Sequence, residues 1–183
     1  MSANIIDGAK IGILSDTHGS LAAWNSALSV FGDVSAVLHA GDVIYGGMRA
    51  KRSEGEALAE AIRDCNVPLF IARGNCDTSS DMMATGTVMH NYVSLIWNSK
   101  KIIMMHGDNF PLFRSMALEC GADLAISGHT HVGSVVREES TIFLNPGSVS
   151  DPRGKDPASV AVADLKAISI ITLNGGLLHR EEW

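Results

Sequence analysis

The sequence predicts an α/β fold: two mixed β-sheets packed as a sandwich and flanked by helices, in a single domain over residues 1–183. Three observations point there. Short apolar runs alternate with helical stretches through the first half in a β-α-β-α-β order, the pattern of a parallel sheet with helices on its faces. The second half is richer in strand-like runs. Finally, 46% hydrophobic against 19% charged residues suits a buried core in a chain of one-domain length.

In order, residues 10–15 (K-I-G-I-L-S) read as a strand and 21–31 as a helix. Residues 36–40 (A-V-L-H-A) form a second strand, and 54–64 a helix that Ser53 is placed to cap. The run 68–72 (P-L-F-I-A) makes the third strand. Beyond it, 87–97 and 101–105 suit a hairpin turning at Asn98 and Ser99, and 112–119 a helix closed by Gly121. Strands follow at 123–127, 134–137 and 141–144, and 160–165 with 169–173 form a final antiparallel pair. No repeat, low-complexity tract or Pro/Gly/Ser linker divides the chain.

Charge and cysteine usage narrow the function classes. Fourteen Lys and Arg against twenty Asp and Glu give a formal charge of −6, with no basic stripe, so stable nucleic-acid binding is not expected. Cys65, Cys76 and Cys120 form neither a C-x-x-C pair nor a disulfide framework, which fits a reducing compartment. The start of the chain shows no secretory pattern, and the longest apolar runs, about five residues, fall far short of the roughly 20 that span a bilayer. A cytoplasmic protein without membrane association is expected, and a homo-oligomer is compatible with the sequence. Neither G-x-G-x-x-G nor G-x-x-x-x-G-K-[ST] occurs, so a nucleotide-binding loop of those types is excluded.

The polar residues that follow the strands carry the chemistry, because in open α/β sheets ligands bind beyond the carboxyl ends of strands. Asp16, Asp42, Asn75, His106 and His129 each fall just after an apolar run. In Ser15-Asp16-Thr17-His18-Gly19, an extended backbone would point Asp16 and His18 the same way, although for this element alone a turn with a capping Asp and a solvated His is the default reading. Gly41-Asp42 and Gly74-Asn75-Cys76-Asp77 are, singly, ordinary turns. His106-Gly107 after I-I-M-M is by default a histidine satisfied near the core. Gly128-His129-Thr130-His131 is more specific, since two imidazoles at i and i+2 form a ready chelate.

Taken in order, D-x-H, G-D, G-N-x-D, H-G and G-H-x-H resemble the calcineurin-like metallophosphoesterase family. Asn145-Pro146-Gly147-Ser148 resembles a block of its small bacterial and archaeal members, the YfcE-like phosphodiesterases. The resemblance covers roughly residues 11–162. It implies one metal on Asp16, His18, Asp42 and His131, and a second on Asp42, Asn75, His106 and His129, with Asp42 bridging. The implied activity is hydrolysis of a phosphate ester, a phosphodiester first, by a hydroxide held between two divalent ions. Imidazoles, carboxylates and one amide carbonyl, with no thiolate, suit borderline ions: manganese first, with iron, zinc, nickel or magnesium as alternatives. Two such ions would also give an acidic protein the local positive charge that an anionic small-molecule ester needs.

One position departs from the pattern. Larger members of the family carry His where this chain has Cys76, and that His is thought to protonate the leaving oxygen. A thiol can donate a proton, but its ordinary pKa matches the task poorly. Asn75 and Cys76 are thus the catalytic candidates, with Asn75 and Arg73 facing phosphate; a surface ion pair is the alternative for Arg73. His39 is read as a packed strand histidine with a supporting role as the alternative, and His90 and His179 receive none. Residues 45–55 (Y-G-G-M-R-A-K-R-S-E-G) would form a basic rim over the site or a solvated loop. The competing function is a protein-binding scaffold of the same fold, like the retromer subunit Vps29, which departs from the enzyme pattern at several metal positions. All seven positions here hold competent ligands.

Overall fold

A computed structural model describes residues 4–44 and 52–183. Thirteen strands and four helices lie among the described residues. The strands form two mixed sheets, as the sequence predicts. In one, β2 (Lys10–Leu14), β3 (Ala36–His39), β4 (Leu69–Ala72) and β5 (Met89–His90) run parallel. That sheet is extended antiparallel by β11 (Ser159–Asp164), β12 (Ala167–Thr172) and β13 (Leu177–Glu182). The other sheet is ordered β1 (Asn4–Ile6), β6 (Val93–Trp97), β7 (Lys100–Met104), β8 (Leu124–Ile126), β10 (Thr141–Asn145) and β9 (Ser134–Glu138).

Their facing surfaces bury Ile11, Ile13, Leu38, Leu95, Ile102, Met104, Ile126 and Leu144 in one core. Outside the first sheet, α1 (Leu21–Phe31) and α2 (Arg52–Arg63) bury Trp24, Phe31, Leu58 and Ile62 against Leu14, Val37 and Ile71. Outside the second, α4 (Phe110–Glu119) seats Phe113 and Ala117 on Ile103, Ala125 and Phe143. This is the layered solution for elements that each have one apolar face. Three local signals set element ends: Ser20 accepts from Ala23 N–H at the start of α1, Asn109 accepts from Leu112 N–H at the start of α4, and Asn98 and Ser99 both adopt left-handed backbone in the β6–β7 turn.

Several expectations shift. The run 87–97 is not one strand: Met89–His90 joins β4 in one sheet, while Val93–Trp97 pairs with β7 in the other. A helix, α3 (Ser79–Thr85), precedes it with a Thr78/Asp81 capping box, too short for helical periodicity to reveal. The final pair gains β13, whose L-L-H-R-E-E edge is mostly exposed and so shows no alternation. Helix α2 starts at Arg52, so Ser53 lies within it rather than capping it. The expected basic rim at 45–55 falls, for residues 45–51, outside the described residues.

Candidate metal centre

Strands β2, β3 and β4 of one sheet and β7, β8 and β10 of the other all release their chains at the same end of the sandwich. Within two to five residues of the ends of β2, β3, β4, β7 and β8 stand the seven residues singled out above. The structure brings all seven together. Asp16 Oδ1 lies 3.3 Å from His131 Nε2 and 3.8 Å from His18 Nε2, and the two imidazole Nε2 atoms are 3.2 Å apart. Asp42 Oδ2 lies 3.5 Å from His106 Nε2, and Asn75 Oδ1 lies 3.0 Å from both His106 Nε2 and His129 Nδ1. Atoms of Asp16, His18 and His131 that could ligate a metal fall within 4.8 Å of one another, as do those of Asp16, Asp42 and His106. Asp16 is the carboxylate common to both groups.

The local backbone differs from the extended geometry that D-x-H suggested. Asp16, His18, Asp42, His129 and His131 all have positive φ, between 46° and 68°. Non-glycine residues occupy that region at a cost, and a concentration of them marks a place where surrounding structure overrides local preference. The side chains therefore converge through left-handed turns, not through strand alternation. Glycines make the approach possible: a Cβ on Gly74 would sit 2.1 Å from Asp42 Oδ1, and one on Gly128 would sit 1.9 Å from Ser15 Oγ.

The hydrogen bonds behind the site fix which atoms face it. His106 Nδ1 donates to Ala40 O at 2.8 Å and His131 Nδ1 to Asp151 O at 2.6 Å. Each neutral ring thereby turns an Nε2 lone pair inward, the arrangement that orients metal-binding imidazoles. Atoms of ligand type then crowd together: His18 Nε2 against His131 Nε2, and Asn75 Oδ1 against His106 Nε2 and His129 Nδ1. Asp16 Oδ1 and His18 Nδ1 are buried without a hydrogen-bond partner. Such a cluster demands positive charge. Burial opposes protonation of His106, but the hydrogen bond and charge of Asp42 outweigh it and raise its pKa to about 9. Burial likewise works against the Asp42 carboxylate, yet His106 and the Cys76 N–H hold its pKa down to about 2. A divalent cation answers the same demand with the rings neutral, so the residues fit a metal.

A scaffold that the motifs did not reveal holds the loops. Asp77, buried, accepts backbone N–H bonds from Asp42 (2.9 Å), Val43 (2.8 Å) and Gly74 (2.7 Å), tying the loop after β3 to the loop after β4. Asn145 donates to Gly128 O at 2.7 Å, and Ser148 and Ser150 both donate to Asp16 O at 2.9 Å. Asp77, Asn145 and Ser148 stood inside the quoted motif blocks, but no spacing rule separates a loop clamp from a ligand. Arg73 is exposed; its Nε donates to Asp77 O at 3.2 Å, and it borders a polar cavity of about 380 Å³ with Asn75 and His106. Cys76 N–H donates to Asp42 Oδ1 at 2.9 Å, and its sulfur accepts from Asn75 Nδ2 at 3.3 Å.

His39 is packed on β3, and its ring also bonds to the neighbouring loops. Its Nδ1 accepts the Gly41 N–H at 3.1 Å, so Nε2 carries the proton and donates to Thr17 Oγ1 at 2.7 Å; Thr17 in turn donates to Val43 O. Burial, only partly offset by Asp16, pushes the His39 pKa down to about 4 from an ordinary 6.5. Below pH 6.5 the unfolded chain therefore takes up a proton that the folded site refuses. The stabilisation is complete above about pH 6.5 and is lost as pH falls toward about 4. His39→Gln is expected to flatten the decline of Tm across that window relative to the unsubstituted protein. Parallel Tm–pH curves for the two proteins would contradict this assignment.

The fold and this centre define a metal-dependent phosphoesterase, and the chain belongs to that family: residues 9–167 match the calcineurin-like phosphoesterase superfamily domain. It is thus a hydrolase of phosphoric ester bonds, of a family that uses divalent metal. The chain is 32% identical over 175 residues to phosphodiesterase YfcE of Escherichia coli K12, covering 90% of this chain and 92% of that protein. The solved structure of the E. coli phosphoesterase Yfce superposes with a TM-score of 0.81 at 25% identity, covering 94% of this chain and 98% of that one. Vacuolar protein sorting 29 from Cryptosporidium parvum superposes with a TM-score of 0.70 at 19% identity, covering 96% and 98%. That last likeness is one of fold. No helix among the described residues is long and apolar enough to cross a membrane.

Proposed function

We propose that the protein is a phosphodiesterase that works with two divalent ions. Asp16, His18, Asp42 and His131 hold one and Asp42, Asn75, His106 and His129 the other, with manganese the first choice and iron, zinc, nickel or magnesium as alternatives. The observation that carries this reading is the convergence of imidazole, carboxylate and amide groups, with atoms 3.0–3.3 Å apart, at the strand ends. When bound, such ions act as Lewis acids toward phosphoryl oxygens and lower the pKa of coordinated water. The similarity to YfcE over most of both chains supports the diester preference. A protein-binding scaffold needs none of these ligands, and all seven are present.

The chain's own residues supply orientation. Asn75 turns its carbonyl toward the two imidazoles and its amide toward Cys76. Arg73, anchored through Nε, presents a cation at the mouth of the polar cavity, where an anionic ester would enter. The free thiols Cys65, Cys76 and Cys120 support a reducing, cytoplasmic setting. The test is metal-stripped protein re-supplied with one divalent ion at a time, assayed on diesters and monoesters that share a leaving group. Restoration by manganese with diesters turned over faster is expected. Full activity without metal, or monoesters turned over faster throughout, would overturn the proposal.

Cys76 limits proton delivery on this reading. In the metal-free chain, burial, reinforced by the Asp42 charge, pushes its pKa up to about 11, and even an ordinary thiol is a weak acid near neutrality. Cys76→His is expected to speed diesters with alkoxide-like leaving groups, up to the roughly 10²-fold low end for a positioned general acid. Nitrophenyl esters, which depart unaided, should change little. The measurement is kcat/KM against leaving-group pKa: a shallower slope in the variant supports proton delivery, and a uniform loss across the series marks Cys76 as packing alone.

A further inference from the structure

We infer that an apolar cleft beside the metal centre binds a planar, uncharged aromatic ester group of the substrate, with Phe110 as the ring it packs against. The inference rests on the phosphoester reading above and adds to it the class of group attached to phosphorus. The cleft, about 320 Å³, is at the small end of the range for sites that hold a compact organic group. It adjoins the centre directly: Gly107 and Gly128 line it, the first following His106 and the second preceding His129. Their segments are joined by a bond from Gly128 N–H to His106 O at 2.8 Å. Thr130, between His129 and His131, lines it as well.

Phe110, Val136, Phe143 and Leu144 give the walls their apolar part, beside small polar residues such as Ser127 and Ser134. Phe110 opens α4 and lies 6.1 Å from the ring of Phe143 at 63°. Phe143 on β10 is the register partner of Val136 on the edge strand β9. Phe110 is 42% exposed and Val136 59% exposed, apolar surface that a ring would remove from water. At the far end, Arg114 forms a two-pronged ion pair with Glu138. Glu138 offsets that guanidinium's charge, so the cleft carries no unpaired cation to favour a second phosphate over an uncharged ring. The opposite flank of segment 106–110 is the polar cavity, with Arg73, Asn91 and Asp108 in its wall. A hydroxylated or charged group belongs on that side and the ring on this one.

The test uses calorimetry on the full-length, manganese-loaded protein with phenylphosphonate and methylphosphonate, which share a phosphoryl head and are not hydrolysed. Phenylphosphonate is expected to bind about tenfold more tightly or better. Phe110→Ala, which removes the ring, and Val136→Trp, which fills the cleft from a solvent-facing edge strand, are each expected to bring the two affinities within about twofold. Equal affinities in the unsubstituted protein, or a preference that both variants retain, would overturn the subsite. Turnover of bis(p-nitrophenyl) phosphate is followed in parallel. Preference without turnover supports the subsite and overturns the diesterase proposal, and turnover without preference overturns the subsite alone.

Discussion

Asp42→Asn is expected to lower phosphodiester turnover by at least about 10³-fold, the equivalent of the several kcal/mol that metal ions contribute to charge stabilisation in such reactions. The fold should survive. The amide keeps an oxygen for the Cys76 N–H, which donates to Asp42 Oδ1 at 2.9 Å, and leaves the backbone bond from Asp42 N–H to Asp77 unchanged. What is lost is the negative charge beside His106 and the capacity to bridge two cations. Elemental analysis after gel filtration gives an independent readout, and Asp42→Asn should lose metal from both positions. Asp16→Asn serves as the control. It is expected to lose one equivalent, because only Asp42 is assigned to both ions, although Asp16 is the carboxylate common to both acceptor groups. The opposite pattern would transfer the bridge to Asp16.

Asp77→Ala is expected to cost both stability and turnover. The substitution strands the backbone N–H groups of Asp42, Val43 and Gly74 in a buried setting. Each such group costs roughly 1–3 kcal/mol, and water entering the cavity would recover part of it. A net loss of about 3 kcal/mol corresponds to a Tm lower by roughly 6–12 °C in a protein of this size. Turnover should fall about 10–100-fold, the usual range for residues that orient ligands without touching the metal. Burial raises the Asp77 pKa even though its three N–H partners favour the carboxylate; Asp77→Asn keeps one acceptor oxygen, enough for the Asp42 and Gly74 N–H groups but not for Val43, and should recover only part of the stability. An unchanged Tm in Asp77→Ala would mean that the two loops are held by other contacts.

The sequence makes legible which residues gather at the strand ends but not the means by which they meet. The order of apolar runs and following polar residues foretells which strands carry Asp16, Asp42, Asn75, His106 and His129, because a parallel sheet gathers its carboxyl ends on one edge. It cannot foretell that five of the seven ligand residues take left-handed backbone, since that conformation is imposed by distant contacts such as Ser148 and Ser150 on Asp16 O. The D-x-H pair therefore suggested extended geometry and received a turn. Likewise His129 and His131 look like one chelate in sequence, yet His129 faces Asn75 and His106 while His131 faces Asp16 and His18. Short or half-exposed elements escaped for a different reason. Helix α3 has seven residues and β5 two, and β13 is an edge with polar residues on both faces, so none of them carries a periodic pattern to read. The cleft at Phe110 depends on β9 and β10 meeting α4, a tertiary coincidence with no local signal.

The most direct measurement of the central claim is a titration of metal-stripped protein with Mn²⁺, following bound metal and diester turnover in the same samples. If the seven residues hold a pair of ions that act together, turnover stays near background through the first equivalent and rises with the second, reaching its plateau at two ions per chain. Turnover that reaches its plateau at one bound ion, or that is undiminished after the metal is removed, would contradict it.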